Sequence, residues 1–303
     1  MDIGKIIRRD VVLKPLTTMK TGGPASHFAE PSNEEEIIEL LKYAKANDLE
    51  VFILGNGSNV IADDRGFDGL IIKLGSNMSQ ISIEEDPEDP EYGFITAGAG
   101  CLLSKFGNTA ASEGYEGAEF SCGIPGSVGG AVFMNAGAYG RDISDIAYEV
   151  RYIEDGQIKD MRVSKDNFGY RTSFFAHNGR IVTRLKARLK KGDREAIDAL
   201  VKELRDKRTA SQPLTVPSCG STFKRPEGYF AGKLIQDSGL KGFHLDDSGA
   251  EVSPKHAGFV VNNGGTAGSE DIKRLIKHIQ DKVYEDSGVR LECEVRFLGG
   301  SET

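Results

Sequence analysis

The segment Pro217-Ser218-Cys219-Gly220-Ser221-Thr222-Phe223-Lys224-Arg225-Pro226 sets a small hydroxyl beside a glycine and ahead of two cations, between two chain-stiffening prolines. Such a frame suits Ser221 as a proton donor to an anionic substrate, with Lys224 and Arg225 as its anion contacts. Tyr170-Arg171-Thr172-Ser173 offers a guanidinium beside a phenol, and Arg grips a carboxylate through a planar, two-pronged contact. Glu292 and Glu294 alternate near the end of the chain, and His256 precedes the apolar run from Phe259. Read singly, each of these also fits a bland role: a turn, a surface charge, a solvated strand face, a structural histidine. Cys219 has no base beside it in the sequence and reads as a packing residue.

Two glycine-rich segments lie upstream. Gly55-Asn56-Gly57-Ser58-Asn59 follows the apolar run Val51-Phe52-Ile53-Leu54. Glycines there free backbone N–H groups to face an anion, and Ser and Asn add side-chain donors, which suits a diphosphate. The segment matches neither G-x-G-x-x-G nor the P-loop pattern, and alone it is equally a plain turn. Gly123-Ile124-Pro125-Gly126-Ser127-Val128-Gly129-Gly130 demands a fixed, tightly turned backbone, and Asn135-Ala136-Gly137-Ala138-Tyr139-Gly140 extends it. Two such loops favour an extended dinucleotide wrapped at both ends.

The elements that position these residues follow from length and pattern. The 303 residues imply two or three domains. A net charge of −8 argues against non-specific nucleic-acid or anionic-membrane binding, and no apolar run approaches a membrane span. The N-terminus is too charged for a signal-peptide core. The four cysteines (Cys101, Cys122, Cys219, Cys293) show no CxxC spacing, so no metal site or dithiol is expected, and free thiols in a cytoplasmic protein are.

Ser32 and Glu35 form a capping-box pattern ahead of Ile37, Ile38, Leu41 and Ala44 at helical spacing. Residues 70–74 read as a strand, 84–93 as a solvated charged loop, 121–140 as a packed glycine-rich loop, and 147–153, 158–163 and 180–190 as strands. Asp193 is placed to cap a helix bearing Ile197, Leu200, Val201 and Leu204, and Gly288 to stop one from Glu270 to Asp286. Residues 289–297 alternate as a closing strand. The divisions fall at 1–75, 76–190 and 191–303.

Together these segments, with Thr21-Gly22-Gly23-Pro24-Ala25 and Glu294-Val295-Arg296, resemble the UDP-N-acetylenolpyruvoylglucosamine reductases over nearly the whole chain and in the family's order. The resemblance implies an α+β fold: a two-part FAD-binding domain of the vanillyl-alcohol-oxidase/PCMH type over 1–75 and 76–190, then a smaller α+β substrate-binding domain over 191–303. It implies NADPH-dependent reduction of UDP-N-acetylglucosamine enolpyruvate to UDP-N-acetylmuramate for peptidoglycan, through FAD bound non-covalently. It also implies Arg171, Ser221 and Glu294 as the catalytic residues. Gly55, Asn56, Gly57, Ser58, Asn59, Gly123, Pro125, Gly126, Ser127, Gly129 and Gly130 would hold the cofactor. Tyr170, Arg171, Lys224, Arg225 and His256 would face the substrate. No protein partner is implied. The chain is similar to the shorter subclass that lacks an inserted tyrosine loop over the substrate. A flavin oxidase of the same superfold and a non-catalytic nucleotide- or flavin-binding module are the competing readings.

Overall fold

The computed structural model describes residues 3–245 and 247–300, and it divides into two compact units built from discontinuous stretches. The first comprises the residues up to Ile7, Ala29–Asn56 and Ile71–Arg208; the second comprises Arg8–Phe28, Gly57–Leu70 and the chain from Thr209 onward.

The first unit is organised on an antiparallel sheet. Its strands run Gln157–Arg162, Ala147–Glu154, Ile181–Lys191, Tyr92–Gly98, Ile81–Glu85 in spatial order, and Tyr115–Glu116 pairs with the end of Ile181–Lys191. Ile181–Lys191 buries Ile181, Leu185, Ala187 and Leu189 and exposes its lysine end. Against the sheet lie α2 (Leu103–Ser112) and α3 (Val128–Met134), whose Leu103, Phe106, Ala110, Val128 and Val132 share one core with Ile95, Val150 and Leu185. Helix α1 (Glu34–Ala46) buries Ile37, Leu40 and Ala44. Its N-cap is Asn33, whose side chain accepts from the Glu36 amide at 2.9 Å, while the Glu36 carboxylate accepts from the Ser32 amide at 2.6 Å. The cap thus sits one residue later than the Ser32/Glu35 pattern, because Asn accepts as well as Ser and Glu36 supplies the return bond. Helix α4 (Arg194–Ser211) packs Ile197 and Val201 on Ala111 of α2 but leaves Leu200 40% exposed, so its buried stripe is narrower than the sequence pattern.

The charged loop expected over 84–93 splits. Ile81–Glu85 and Tyr92–Gly98 pair as a hairpin, and Asp86 at its neck is buried, accepting from Arg188 Nε at 2.6 Å. A carboxylate inside a charge run is drawn in because a guanidinium on the adjacent strand pairs with it. Likewise the glycine-rich 121–140 stretch is not all loop: α3 forms within it, where Ala, Val, Phe and Met outweigh the glycines.

The second unit gathers around α6 (Ser269–Ser287). Ile272, Leu275, Ile276, Ile279 and Val283 form its buried stripe, each contributing roughly 1.5–3 kcal/mol relative to exposure. Gly288 ends it in the left-handed conformation (φ 70°). The stripe packs on Met19, Ile61, Phe223, Val252, Val260 and on Ile235 of α5 (Ala231–Asp237). Val60–Ala62 pairs in parallel with Arg296–Leu298, and Ala250–Val252 pairs antiparallel with Val260–Asn262. Only Arg296–Leu298 of the expected 289–297 strand is regular. Residues 292–295 instead follow the 222–224 segment through isolated backbone bonds, because no second neighbour continues the ladder there. Asp63, almost fully buried, accepts from Arg65 and from Lys273 Nζ of α6 at 3.1 Å, and these cations hold its carboxyl well below the usual range.

Candidate active site

In the first unit the two glycine-rich segments touch. Ser127 caps α3, its hydroxyl accepting from the Gly130 amide at 3.3 Å. A Cβ on Gly55 would stand 2.2 Å from that same Ser127 Oγ. The Asn56 side-chain amide donates to the Pro125 carbonyl, which closes the contact on its other side. Gly129 lies flush on Ala99, where a Cβ would come within 2.7 Å of the alanine methyl. Gly55 and Gly129 are therefore glycines for close approach.

Two cations support these loops: Lys73, to which no sequence motif points, and Arg208, one of the basic residues over 205–208 that read as candidate phosphate contacts. Lys73 donates to the Gly55 carbonyl at 2.9 Å, and burial lowers the pKa of its ammonium, against the pull of Glu30. Arg208, near the end of α4, runs along Gly123, where a Cβ would meet its Cδ at 2.8 Å. Its Nε is buried with no hydrogen-bond partner among the described residues, and desolvation lowers its pKa. The signal for Lys73 was a single lysine within the otherwise apolar run Leu70-Ile71-Ile72-Lys73-Leu74.

Arg171 occupies a turn. Phe168 pairs with Ser173 and Gly169 with Thr172, so Tyr170 and Arg171 are the two residues at the tip. Arg171 has φ +57°, a conformation that costs a non-glycine residue about 1–2 kcal/mol. The turn is braced from below. Ser173 Oγ donates to the Phe133 carbonyl at 2.9 Å, and Asn135, the left-handed cap of α3, donates to the Gly169 carbonyl at 3.1 Å. The tip that carries Arg171 is thus tied to the helix that follows the second glycine-rich loop. Tyr170 is 57% exposed, with the Arg171 guanidinium 5.3 Å from its ring centre.

In the second unit Ser221 is exposed at the end of a loop, next to Gly220 (φ +75°). The residue after it is fully anchored. The Thr222 amide donates to the Gly258 carbonyl at 2.9 Å, its hydroxyl accepts from the Val260 amide at 3.0 Å, and its carbonyl accepts from the Glu294 amide at 2.8 Å. Thr222, next to Ser221, and Glu294, 72 positions apart, are therefore paired along the backbone. Asn59 straddles Glu294: its side-chain amide donates to the Glu294 carbonyl at 3.0 Å and its own carbonyl accepts from the Arg296 amide at 3.0 Å. Lys224 pairs with Glu292 at 3.1 Å, so Glu292 is committed to an ion pair. The Arg225 guanidinium lies 3.9 Å from the ring centre of Phe230 and donates from Nε to the Tyr229 carbonyl at 3.1 Å. His256 is half-buried, accepts from the Gly258 amide at Nδ1 (3.1 Å) and meets Phe259 edge-on; burial lowers its pKa. Cys219 is buried, donates to the Val60 carbonyl at 3.3 Å, and desolvation pushes its thiol up to about 12.

Residues 25–161 match a family model described as an FAD binding domain, and with the glycine loops this defines the class as proteins built on that domain. Residues 212–298, which hold Ser221 and Glu294, match the model described as the UDP-N-acetylenolpyruvoylglucosamine reductase C-terminal domain. The chain is 44% identical to the UDP-N-acetylenolpyruvoylglucosamine reductase of Agathobacter rectalis over 96% of its own length and 93% of the relative's. It is 42% identical to that of Alkaliphilus oremlandii over 97% and 96%. A solved UDP-N-acetylenolpyruvylglucosamine reductase from Thermus caldophilus superposes with a TM-score of 0.80 at 33% identity, covering 97% of this chain and all of that one. This chain belongs to the UDP-N-acetylenolpyruvoylglucosamine reductase family.

Proposed function

We propose that this chain reduces UDP-N-acetylglucosamine enolpyruvate to UDP-N-acetylmuramate with NADPH, a step of peptidoglycan synthesis. It is an FAD-dependent oxidoreductase. The residues present suit FAD. Gly55 and Gly123 let the Ser127 hydroxyl and the Arg208 side chain lie against the loops, and the buried Arg208 Nε, unpartnered among the described residues, awaits an acceptor that an anionic, oxygen-rich ligand supplies. Gly55–Asn59 and Gly123–Gly130 would hold it non-covalently, with Lys73 beneath the first loop. When bound, FAD supplies the two-electron relay from NADPH to C3 of the enolpyruvyl group.

The chain's own residues handle charge and proton. Reduction at C3 pushes electron density from C2 into the substrate carboxylate. The Arg171 fork neutralises that growing charge, and Glu294, in its protonated form, adds a hydrogen bond. Ser221 delivers the proton to C2. Lys224 and Arg225 take the diphosphate. With no tyrosine loop inserted, Arg225 braced on the exposed ring of Phe230 offers a charged and flat surface for the uridine diphosphate end. Tyr170 and His256 complete the substrate contacts in this reading. The reaction belongs in the cytoplasm, where NADPH and nucleotide sugars meet; no helix among the described residues is long and apolar enough to cross a membrane.

The observation that supports the reading is the bond from the Glu294 amide to the Thr222 carbonyl, which joins the glutamate's segment to the residue after the serine within the matched C-terminal domain. The test is optical. The purified holoenzyme should lose its flavin absorbance on adding NADPH under exclusion of oxygen and regain it on adding the enolpyruvyl sugar nucleotide. Rapid recovery with oxygen and none with that substrate would favour an oxidase.

A further inference from the structure

Ser221 stands at the end of a loop whose two sides are held very differently. After it, Thr222 is anchored by three hydrogen bonds. Before it, Gly220 has positive φ and open space where a Cβ would stand, so it imposes no packing of its own. The fixed points on that side are the buried Cys219, whose thiol donates to the Val60 carbonyl at 3.3 Å, and, before it, Ser218. Its carbonyl accepts from the hydroxyl of Thr18 at 2.6 Å, a bond across 200 positions of sequence. The Thr18 amide donates to the Gly57 carbonyl at 3.0 Å. Gly57 (φ +64°) lies so close to this segment that a Cβ on it would meet the Leu16 carbonyl at 2.1 Å. Thr18 therefore joins the glycine loop at Gly57 to the strand-like base of the Ser221 loop, all within the second unit.

We propose that Thr18 is a positioning residue for proton delivery, holding the Ser218 carbonyl so that the Ser221 hydroxyl is aimed at substrate C2. The inference rests on the role of Ser221 given above. A hydroxyl whose loss shifts the loop by a fraction of an ångström acts on the proton-transfer step, where misplacement near 1 Å costs up to about 100-fold. It leaves untouched the hydride step from NADPH, which uses no proton from Ser221.

The experiment measures both half-reactions of the holoenzyme by stopped flow. Thr18→Val removes the hydroxyl at nearly constant shape, and Thr18→Ser keeps it. Thr18→Val should retain full FAD content and reduction by NADPH within about twofold, yet slow reoxidation by the enolpyruvyl substrate about 10- to 100-fold. Thr18→Ser should recover most of that loss. On a Ser221→Ala background Thr18→Val should add no further slowing, since it acts through that hydroxyl. Should Thr18→Val lose flavin, Thr18→Ala reads the same split. Equal losses in both half-reactions, no loss at all, or failure of Thr18→Ser to restore the rate would overturn the proposal while Ser221→Ala remains slow. Normal reoxidation in Ser221→Ala would instead remove the Ser221 assignment, and this inference with it.

Discussion

The Ser127 hydroxyl stands 2.2 Å from where a Cβ of Gly55 would be, so the two glycine-rich segments close on each other through a serine and a missing side chain. Gly55→Ala should therefore force the loops apart and lower FAD retention on gel filtration. Removing the opposing hydroxyl in Gly55→Ala/Ser127→Ala should recover part of it. A double variant as poor as the sum of its singles would deny the contact.

Ser221→Ala should leave flavin reduction by NADPH near normal and slow reoxidation by substrate about 10²–10⁴-fold, the usual weight of a general acid. Stopped-flow traces with similar losses in both phases would contradict that role.

Arg171 is held at φ +57°. Glycine tolerates that conformation and alanine does not, so Arg171→Gly should be about 1 kcal/mol more stable than Arg171→Ala in urea, with both nearly inactive. Arg171→Lys should also be damaged, since a point charge lacks the planar fork. Wild-type turnover in the lysine variant would refute a two-pronged carboxylate clamp.

Arg65, and with it the buried Lys273, pairs with Asp63 and holds its carboxyl below the ordinary range. A depressed carboxyl pKa stabilises the fold at pH values above the unfolded value of about 4 and loses that contribution as pH falls through the folded value. Lys273→Met removes one charged donor while the two-pronged Arg65 contact stays, and should cost roughly 1.5–3 kcal/mol at pH 7. The gap between Asp63→Asn and the parent in denaturant melts should narrow steadily below about pH 4. A gap constant down to pH 2 would exclude this linkage.

Burial raises all four thiols, Cys122 and Cys293 to about 11 and Cys219 to about 12. Alkylation by iodoacetamide at pH 8 should be far slower in the native protein than in urea, with activity retained. Fast native labelling of Cys219 would show an exposed or activated thiolate.

Much of this was legible in sequence where one local signal sufficed. The α6 stripe from Ile272 to Val283 and its Gly288 stop need only helical spacing and a left-handed glycine. The glycine loops announce a constrained backbone, though not their mutual contact, which depends on Ser127 facing Gly55. What escaped was tertiary. Asp86 is buried because Arg188 lies on the neighbouring strand. The alternation over 289–297 promised a strand, yet residues 292–295 have only a short partner at 222–224. Lys73, Arg208 and Thr18 carry no motif, since each acts on a loop distant in sequence.

The parallel pairing of Val60–Ala62 with Arg296–Leu298 has a consequence for how the chain is made. A ribosome releases Val60 well before Phe297, which follows it by 237 positions. The second unit cannot close until Arg296–Leu298 has been made, and until then an apolar strand edge waits uncovered. Translation that stops short of Arg296 would leave that edge permanently open, and such fragments should aggregate or be degraded where the whole protein survives.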